Sequence, residues 1–219
     1  MKKIAFIVSN EGFLFEKTII AQNLGIINCD VKLLLTNNPN ANCIKKSQKY
    51  NIDYKVIPTE KRDIIDYTHD YIDHLIGYNI DIVILTFNRL FSKEIIDHYK
   101  NRILNVHLSL LPSFKGKKPI NQAIDYGVKF LGATIHFIDE GIDSGPIISQ
   151  MIFPFNQNWG ETDIFNEYGR RLPKFLINTL DYIINDDYEV VGRRVILKGA
   201  NYNSFEYSPE IKSKFLEYL

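Results

Sequence analysis

Residues 104–116 read LNVHLSLLPSFKG, and further on residues 139–146 read DEGIDSGP. Asn105 and His107 close an apolar run that starts at Ile103. On an extended strand the side chains at i and i+2 leave from one face, so an amide and an imidazole point the same way at the end of a strand. That strand is the last of a series. Short β-branched runs at 4–8, 31–35, 54–57, 80–85 and 103–106 alternate with helical patterns at 15–27, 42–49, 64–78 and 93–99. Such alternation predicts an α/β fold, an open, mostly parallel twisted sheet with helices on both faces. In that architecture ligands bind beyond the carboxyl ends of the strands, at the switch point of strand order, and Asn105 and His107 are expected there.

Outward from this centre the pattern continues. Ser92 is placed to cap the 93–99 helix, with Glu94 suited to the positive end of its dipole. Pro119 stands where a first helical residue would, ahead of 120–126. Strands are predicted at 133–138 and 147–153, on either side of the 139–146 loop. Thr162 and Asp163 can start a long helix towards Asn185, with a break or kink predicted at Gly169 and Pro173. Residues 188–197, with Gly192 in the middle, read as a hairpin. The expectation is one domain, 1–219, whose residues 186–219 form a small C-terminal hairpin and tail.

Composition bounds the partners. Lysine plus arginine and aspartate plus glutamate both number 26, so the formal net charge is zero. No bulk field then draws nucleic acid or an anionic membrane, and recognition has to be local. Cys29 and Cys43 form no CxxC pair and are too few for a structural zinc site, which predicts reduced thiols in a cytoplasmic protein. The apolar run 4–8 is too short for a signal segment, and no stretch approaches the roughly 20 apolar residues of a membrane span. A monomer or homodimer is expected.

The motifs Asn105, His107, Ser109-Leu110-Leu111-Pro112, Gly116 and Asp143 with Gly145-Pro146 together resemble the folate-dependent formyltransferases, most closely the glycinamide ribonucleotide transformylases. The resemblance spans roughly residues 3–197 and is strongest over 80–150. It implies 10-formyltetrahydrofolate as cosubstrate, no metal, and Asn105, His107 and Asp143 as the catalytic residues. The chemistry fits these side chains. An amide N–H can meet the negative oxygen of a tetrahedral intermediate, an imidazole can carry a proton near neutral pH, and a carboxylate can orient it or relay a proton. Taken singly, each has a plainer role as turn or structural residue. His136, on the strand before the loop, is read as supporting Asp143, whereas His69, His74 and His98 fall on solvated helix faces.

For the folate the resemblance points to Asn88, Arg89, Leu90 and Phe91, and to Asp139 and Glu140 in the loop. The plainer reading is that Leu90 and Phe91 fill the core beneath the 93–99 helix. For the acceptor it points to Asn10, Glu11, Gly12 and Phe13 after the first strand and to Leu108, where the family carries proline. Family members hold a substrate phosphate on a Gly- and Ser-rich turn there; this turn reads SNEGFLFEKT and keeps only Gly12. Phe13 and Leu14 crowd a phosphate and Glu11 opposes it, although Lys17 or Lys118 could meet one by another route. The family's acidic ribose contact falls at Tyr168, beside Glu167.

These residues predict formyl transfer to a primary amine of a small metabolite, with a nucleotide-linked amino sugar as the first acceptor and glycinamide ribonucleotide as the alternative. Formyltetrahydrofolate hydrolases share the trio but usually carry an N-terminal regulatory domain, which a sheet starting at residue 3 does not suggest. Two further readings are a non-catalytic folate or nucleotide binder and a plain nucleotide-binding module; the latter lacks its glycine spacing in the first turn.

Overall fold

The computed structural model describes residues 1–216. Cα packing sorts the chain into two compact units, Met1–Asn105 with Ile138–Glu140, and Val106–Phe137 with the chain from Gly141 onward.

The first unit runs β1 (Lys2–Val8), α1 (Phe13–Asn23), β2 (Cys29–Thr36), α2 (Asn42–Lys49), β3 (Asp53–Val56), α3 (Ile64–Gly77), β4 (Ile82–Thr86), α4 (Lys93–His98) and the start of β5 (Ile103–His107). Its strands lie in the order β3-β2-β1-β4-β5, all parallel. Successive side chains serve opposite faces. Ala5, Ile7, Leu33, Leu35, Val83 and Leu85 pack with Tyr71 and Leu75 of α3 and Ile95 of α4. On the other face Phe6 meets Phe15 of α1 edge-on at 5.5 Å. Both faces of β1, β2 and β4 are therefore covered, which is why they carry long apolar runs, whereas β3 at the edge is exposed. Each fully buried Leu, Ile or Phe here contributes about 1.5–3 kcal/mol.

Helix ends explain two departures from expectation. Helix α1 stops at Asn23 because Gly25 turns left-handed (φ 71°), its N–H reaching Gln22 O while that of Ile26 reaches Ala21 O, a pairing that closes off a helix. Ser92 sits at the N-cap of α4 without capping it. Its backbone N–H is taken by Thr68 Oγ1 at 3.1 Å, and its hydroxyl is buried without a partner. At α3 the cap is made, by Asp63 accepting from the Ile65 N–H at 2.8 Å.

The second unit contains α5 (Pro119–Tyr126), β6 (Phe130–Phe137), β7 (Ile147–Pro154), α6 (Glu161–Ile184), β8 (Tyr188–Val191), β9 (Arg194–Leu197), β10 (Tyr207–Ser208) and a 3₁₀ turn at Ser213–Phe215. Strand β7 is antiparallel to β6 and β10 and parallel to β9, which forms the predicted hairpin with β8. At Gly132 an added Cβ would lie 2.2 Å from Met151 O, so the close approach of β6 to β7 requires glycine.

The expected break in α6 is absent: the helix runs unbroken through Gly169 and Pro173. A helical proline loses one hydrogen bond and crowds the carbonyl four residues back. That residue is Gly169, whose backbone has latitude to adjust, and Pro173 is itself buried with Leu172 and Phe175. The tail is fastened to the same helix. Asp181, nearly buried, receives Lys212 Nζ at 2.7 Å and Lys214 Nζ at 2.9 Å, and Asn178 Oδ1 accepts the Lys212 N–H at 2.9 Å.

Candidate active site

His107 ends β5 and is buried, 6% exposed. The Ser-Leu-Leu-Pro segment after it folds back sharply. Ser109 Oγ donates to Ser113 O at 2.7 Å, Thr134 Oγ1 donates to Ser109 O at 2.7 Å and accepts the Leu111 N–H at 3.0 Å, and Gln150 Nε2 donates to Leu111 O at 2.9 Å. Phe114, left-handed at φ 56°, thereby sets its carbonyl 2.9 Å from His107 Nε2. On the other side of the ring, Nδ1 lies 3.4 Å from Asp143 Oδ2. That is an ion-pair separation, longer than a normal N–H···O bond of about 2.9 Å. Acceptors therefore stand at both ring nitrogens.

Asp143 joins the groups of this centre. It too is left-handed, at φ 45°. Its Oδ2 accepts the Gly116 N–H at 2.8 Å, and its Oδ1 lies 3.6 Å from Nε2 of the buried His136, whose Nδ1 is 2.8 Å from Phe137 O. Burial pushes the Asp143 carboxyl up. The His136 hydrogen bond, the Gly116 N–H and the fields of both imidazoles outweigh it, and the group is held below the ordinary carboxylate value of 3.8. An ionised carboxylate between two imidazoles can orient a ring, stabilise positive charge on it and pass on a proton. Asn105 lies on β5 two residues before His107, half-buried and in register with Leu85 of β4.

The remaining expected residues divide. In the first unit, Asn88 donates its N–H to Ser9 Oγ at 3.1 Å and accepts from Asn37 Nδ2 at 3.4 Å, while Arg89 is exposed. Phe91 belongs to the core, stacked on Phe87 at 5.2 Å and edge-on to Tyr71 at 5.1 Å. The Leu90 side chain is 56% exposed, with its carbonyl accepting from Tyr67 Oη at 2.5 Å. Asp139 is half-buried, and Glu140 pairs with Lys93 at 2.9 Å. Sequence reasoning misses Ser9 and Asn37. Both follow directly on apolar strands, and Asn37 Oδ1 is buried without a partner. Strand order reverses between β1 and β4, so the switch point lies by Ser9 and Asn88. Contrary to expectation, Asn105 and His107 end the next strand along.

The turn after β1 packs against the start of α2. Gly12 caps α1 at φ 61°, and a Cβ there would meet Cys43 Cβ at 2.6 Å. The Cys43 N–H binds Asn10 O at 3.0 Å, Glu11 accepts from Asn42 Nδ2 at 2.8 Å, and Lys17 lies over the Phe13 ring at 5.7 Å. Leu108, in the second unit, is half-buried and its carbonyl is 3.4 Å from Tyr168 Oη. Tyr168, where the family's ribose contact was expected, is buried, its hydroxyl donating to Gly132 O at 2.8 Å, and Glu167 is taken by Arg170 and Arg171. Cys29 and Cys43 are free and buried, and burial pushes the Cys29 thiol up to about 12, away from reactivity. Among the described residues no helix is long and apolar enough to cross a membrane, and no His, Cys, Asp and Glu group could hold a metal ion.

Comparison with known proteins identifies relatives of the chain. The formyltetrahydrofolate deformylase 2 of Arabidopsis thaliana mitochondria is 33% identical over 153 residues, which cover 68% of this chain and 46% of that protein; the chain thus spans about half the length of that relative. The phosphoribosylglycinamide formyltransferase of Bacillus subtilis is 29% identical over 160 residues, 72% of this chain and 82% of that one. The crystal structure of glycinamide ribonucleotide transformylase 1 from Symbiobacterium toebii superimposes with a TM-score of 0.86 at 25% identity, covering 90% of this chain and 94% of its own. The family model described as formyl transferase matches residues 2–180, most of the chain, and the protein belongs to the formyl transferase family of enzymes.

Proposed function

We propose that the protein moves the formyl group of 10-formyltetrahydrofolate to a primary amine of a small metabolite, with a nucleotide-linked amino sugar as the acceptor. The observation that carries the reading is the ionised Asp143 held by the Gly116 N–H at 2.8 Å, with His107 at 3.4 Å and His136 at 3.6 Å. The amine nitrogen attacks the formyl carbon, the carbonyl becomes an oxyanion, and the bond from carbon to the folate nitrogen then breaks. The amine gives up a proton and the departing folate nitrogen takes one. Asn105 supplies an N–H donor to the oxyanion. With His107 Nε2 held by the Phe114 carbonyl, the Nδ1 side, shared with Asp143, is where a proton can be passed on.

The choice of acceptor rests on the turn after β1. Phosphate binding on such a turn needs successive open backbone N–H groups. Leu14, expected to crowd a phosphate, is instead buried in the core; Phe13, half-buried, stands at the helix start with Glu11 exposed beside it, so glycinamide ribonucleotide is expected to be a poor substrate. The same turn, with a relative named as a formyltetrahydrofolate deformylase, favours a second reading in which water is the acceptor and formate the product.

A side-by-side assay of tetrahydrofolate release separates these. Release that requires a nucleotide amino sugar and yields its formamide supports the first reading. Equal release with no amine, with formate formed, supports hydrolysis. A kcat/KM of roughly 10⁴ M⁻¹s⁻¹ or more for glycinamide ribonucleotide, with no sugar turnover, overturns the sugar assignment. No turnover with any acceptor, despite folate binding, leaves a non-catalytic binder.

A further inference from the structure

We infer that Lys115, Lys117 and Lys118 form the subsite for the diphosphate of the acceptor; this rests on the amine-acceptor reading above. Three lysines fall within four residues, and all three are exposed. None makes an ion pair within 4.0 Å among the described residues, although the lysines elsewhere that approach carboxylates do so at 2.7–3.2 Å. Three cations on one short exposed segment give a local positive field that a polyanion would meet.

The segment carrying them is built and not loose. Gln122 Nε2 donates to the carbonyls of Lys115 (3.1 Å) and Lys117 (2.8 Å). The chain turns left-handed at Phe114 (φ 56°), Gly116 (φ 81°) and Lys118 (φ 54°). Two of these turning residues contact the reacting groups directly, Phe114 through its carbonyl on His107 and Gly116 through its N–H on Asp143. Lys115 and Lys117 flank Gly116 in sequence, so their Cα atoms are each about 3.8 Å from the Gly116 Cα. The backbone that carries these lysines thus adjoins the Gly116 N–H that holds the Asp143 carboxylate. An acceptor whose diphosphate is held by this loop would need no phosphate cradle at the first turn.

Two polyanions could use such a loop, the diphosphate of the acceptor or the glutamate carboxylates of a folate tail. Inorganic pyrophosphate and triglutamate serve as probes in calorimetric titrations of the full chain at low salt, with Lys115→Gln/Lys117→Gln/Lys118→Gln compared to wild type. Because these side chains are exposed, the triple variant should fold, and its thermal midpoint checks this. The expected result is salt-sensitive pyrophosphate binding that weakens at least tenfold in the variant, with triglutamate much the weaker ligand. Equal pyrophosphate affinity in both proteins, or none in wild type, overturns the subsite. Triglutamate binding as well as pyrophosphate and losing as much in the variant overturns the assignment to the acceptor. The titrations need no turnover. Lysine-dependent pyrophosphate binding in a protein that formylates no amine would sink the proposed function, whereas sugar formylation with an unchanged acceptor KM in the variant would sink this inference alone.

Discussion

Replacing Asp143 by Asn is the sharpest test of the chemistry, because it removes one charge and leaves the shape. The Asn side-chain oxygen can still accept the Gly116 N–H, now at 2.8 Å, so the loop should keep its place. What is lost is a negative charge 3.4 Å from His107 Nδ1. Two unit charges at about 4 Å attract by roughly 4 kcal/mol at an effective dielectric of about 20. The Asp143 side chain is 13% exposed, so water screens part of this. A loss of about 3–4 kcal/mol from the transition state corresponds to a fall in kcat/KM of roughly two to three powers of ten, at about 1.36 kcal/mol per tenfold. The assay is tetrahydrofolate release with saturating acceptor, alongside a thermal melt to show that the variant is folded. A folded variant within about threefold of wild type would refute the role of the carboxylate.

The other expectations follow from the same geometry. Asn105→Ala should slow turnover by roughly a hundred- to a thousandfold through loss of an oxyanion donor, and wild-type rates in that variant would remove the assignment. Because the folded Asp143 carboxyl titrates below its ordinary 3.8, its stabilisation is present above that value and is lost as pH falls through the lower, folded one. The gap in melting temperature between wild type and Asp143→Asn should therefore be steady at neutral pH and shrink in acid below about pH 4; a gap unchanged down to pH 3 would contradict the shift. Tyr168→Phe leaves the buried Gly132 carbonyl without its 2.8 Å donor and should destabilise the fold by about 1–3 kcal/mol while leaving the acceptor KM unchanged. An altered KM with unchanged stability would restore the ribose contact.

The strands were legible because strands covered on both faces are apolar throughout, and Ile4–Val8 or Ile82–Leu85 need no partner to be recognised. The Asn105 and His107 spacing was legible because period two is a property of the strand itself. What escaped depends on distant parts of the chain. No local pattern announces that a backbone carbonyl, that of Phe114, will meet His107, or that Asn37 will bury an unpaired oxygen beside Asn88. Pro173 reads as a breaker until its burial and the glycine four residues earlier are considered together. Ser92 reads as a cap until Thr68, from α3, takes its N–H. Tyr168 falls by family order at a ribose contact, and nothing local announces that its hydroxyl will meet the Gly132 carbonyl where β6 approaches β7.

The paired lysines on Asp181 carry a consequence for solution behaviour. Along one side β7 is hydrogen-bonded to β6, but on the other β9 meets it only at Ile147. The short β10 covers Gln150 and Met151, and the Glu206 carbonyl takes the Ile152 N–H at 2.8 Å. Those groups are shielded by a two-residue strand held down through the nearby Lys212, Lys214 and Asp181 contacts. A bare strand edge is a template for another chain. Neutralising Asp181 should therefore register first in light scattering, as stickiness between molecules, before any loss of turnover.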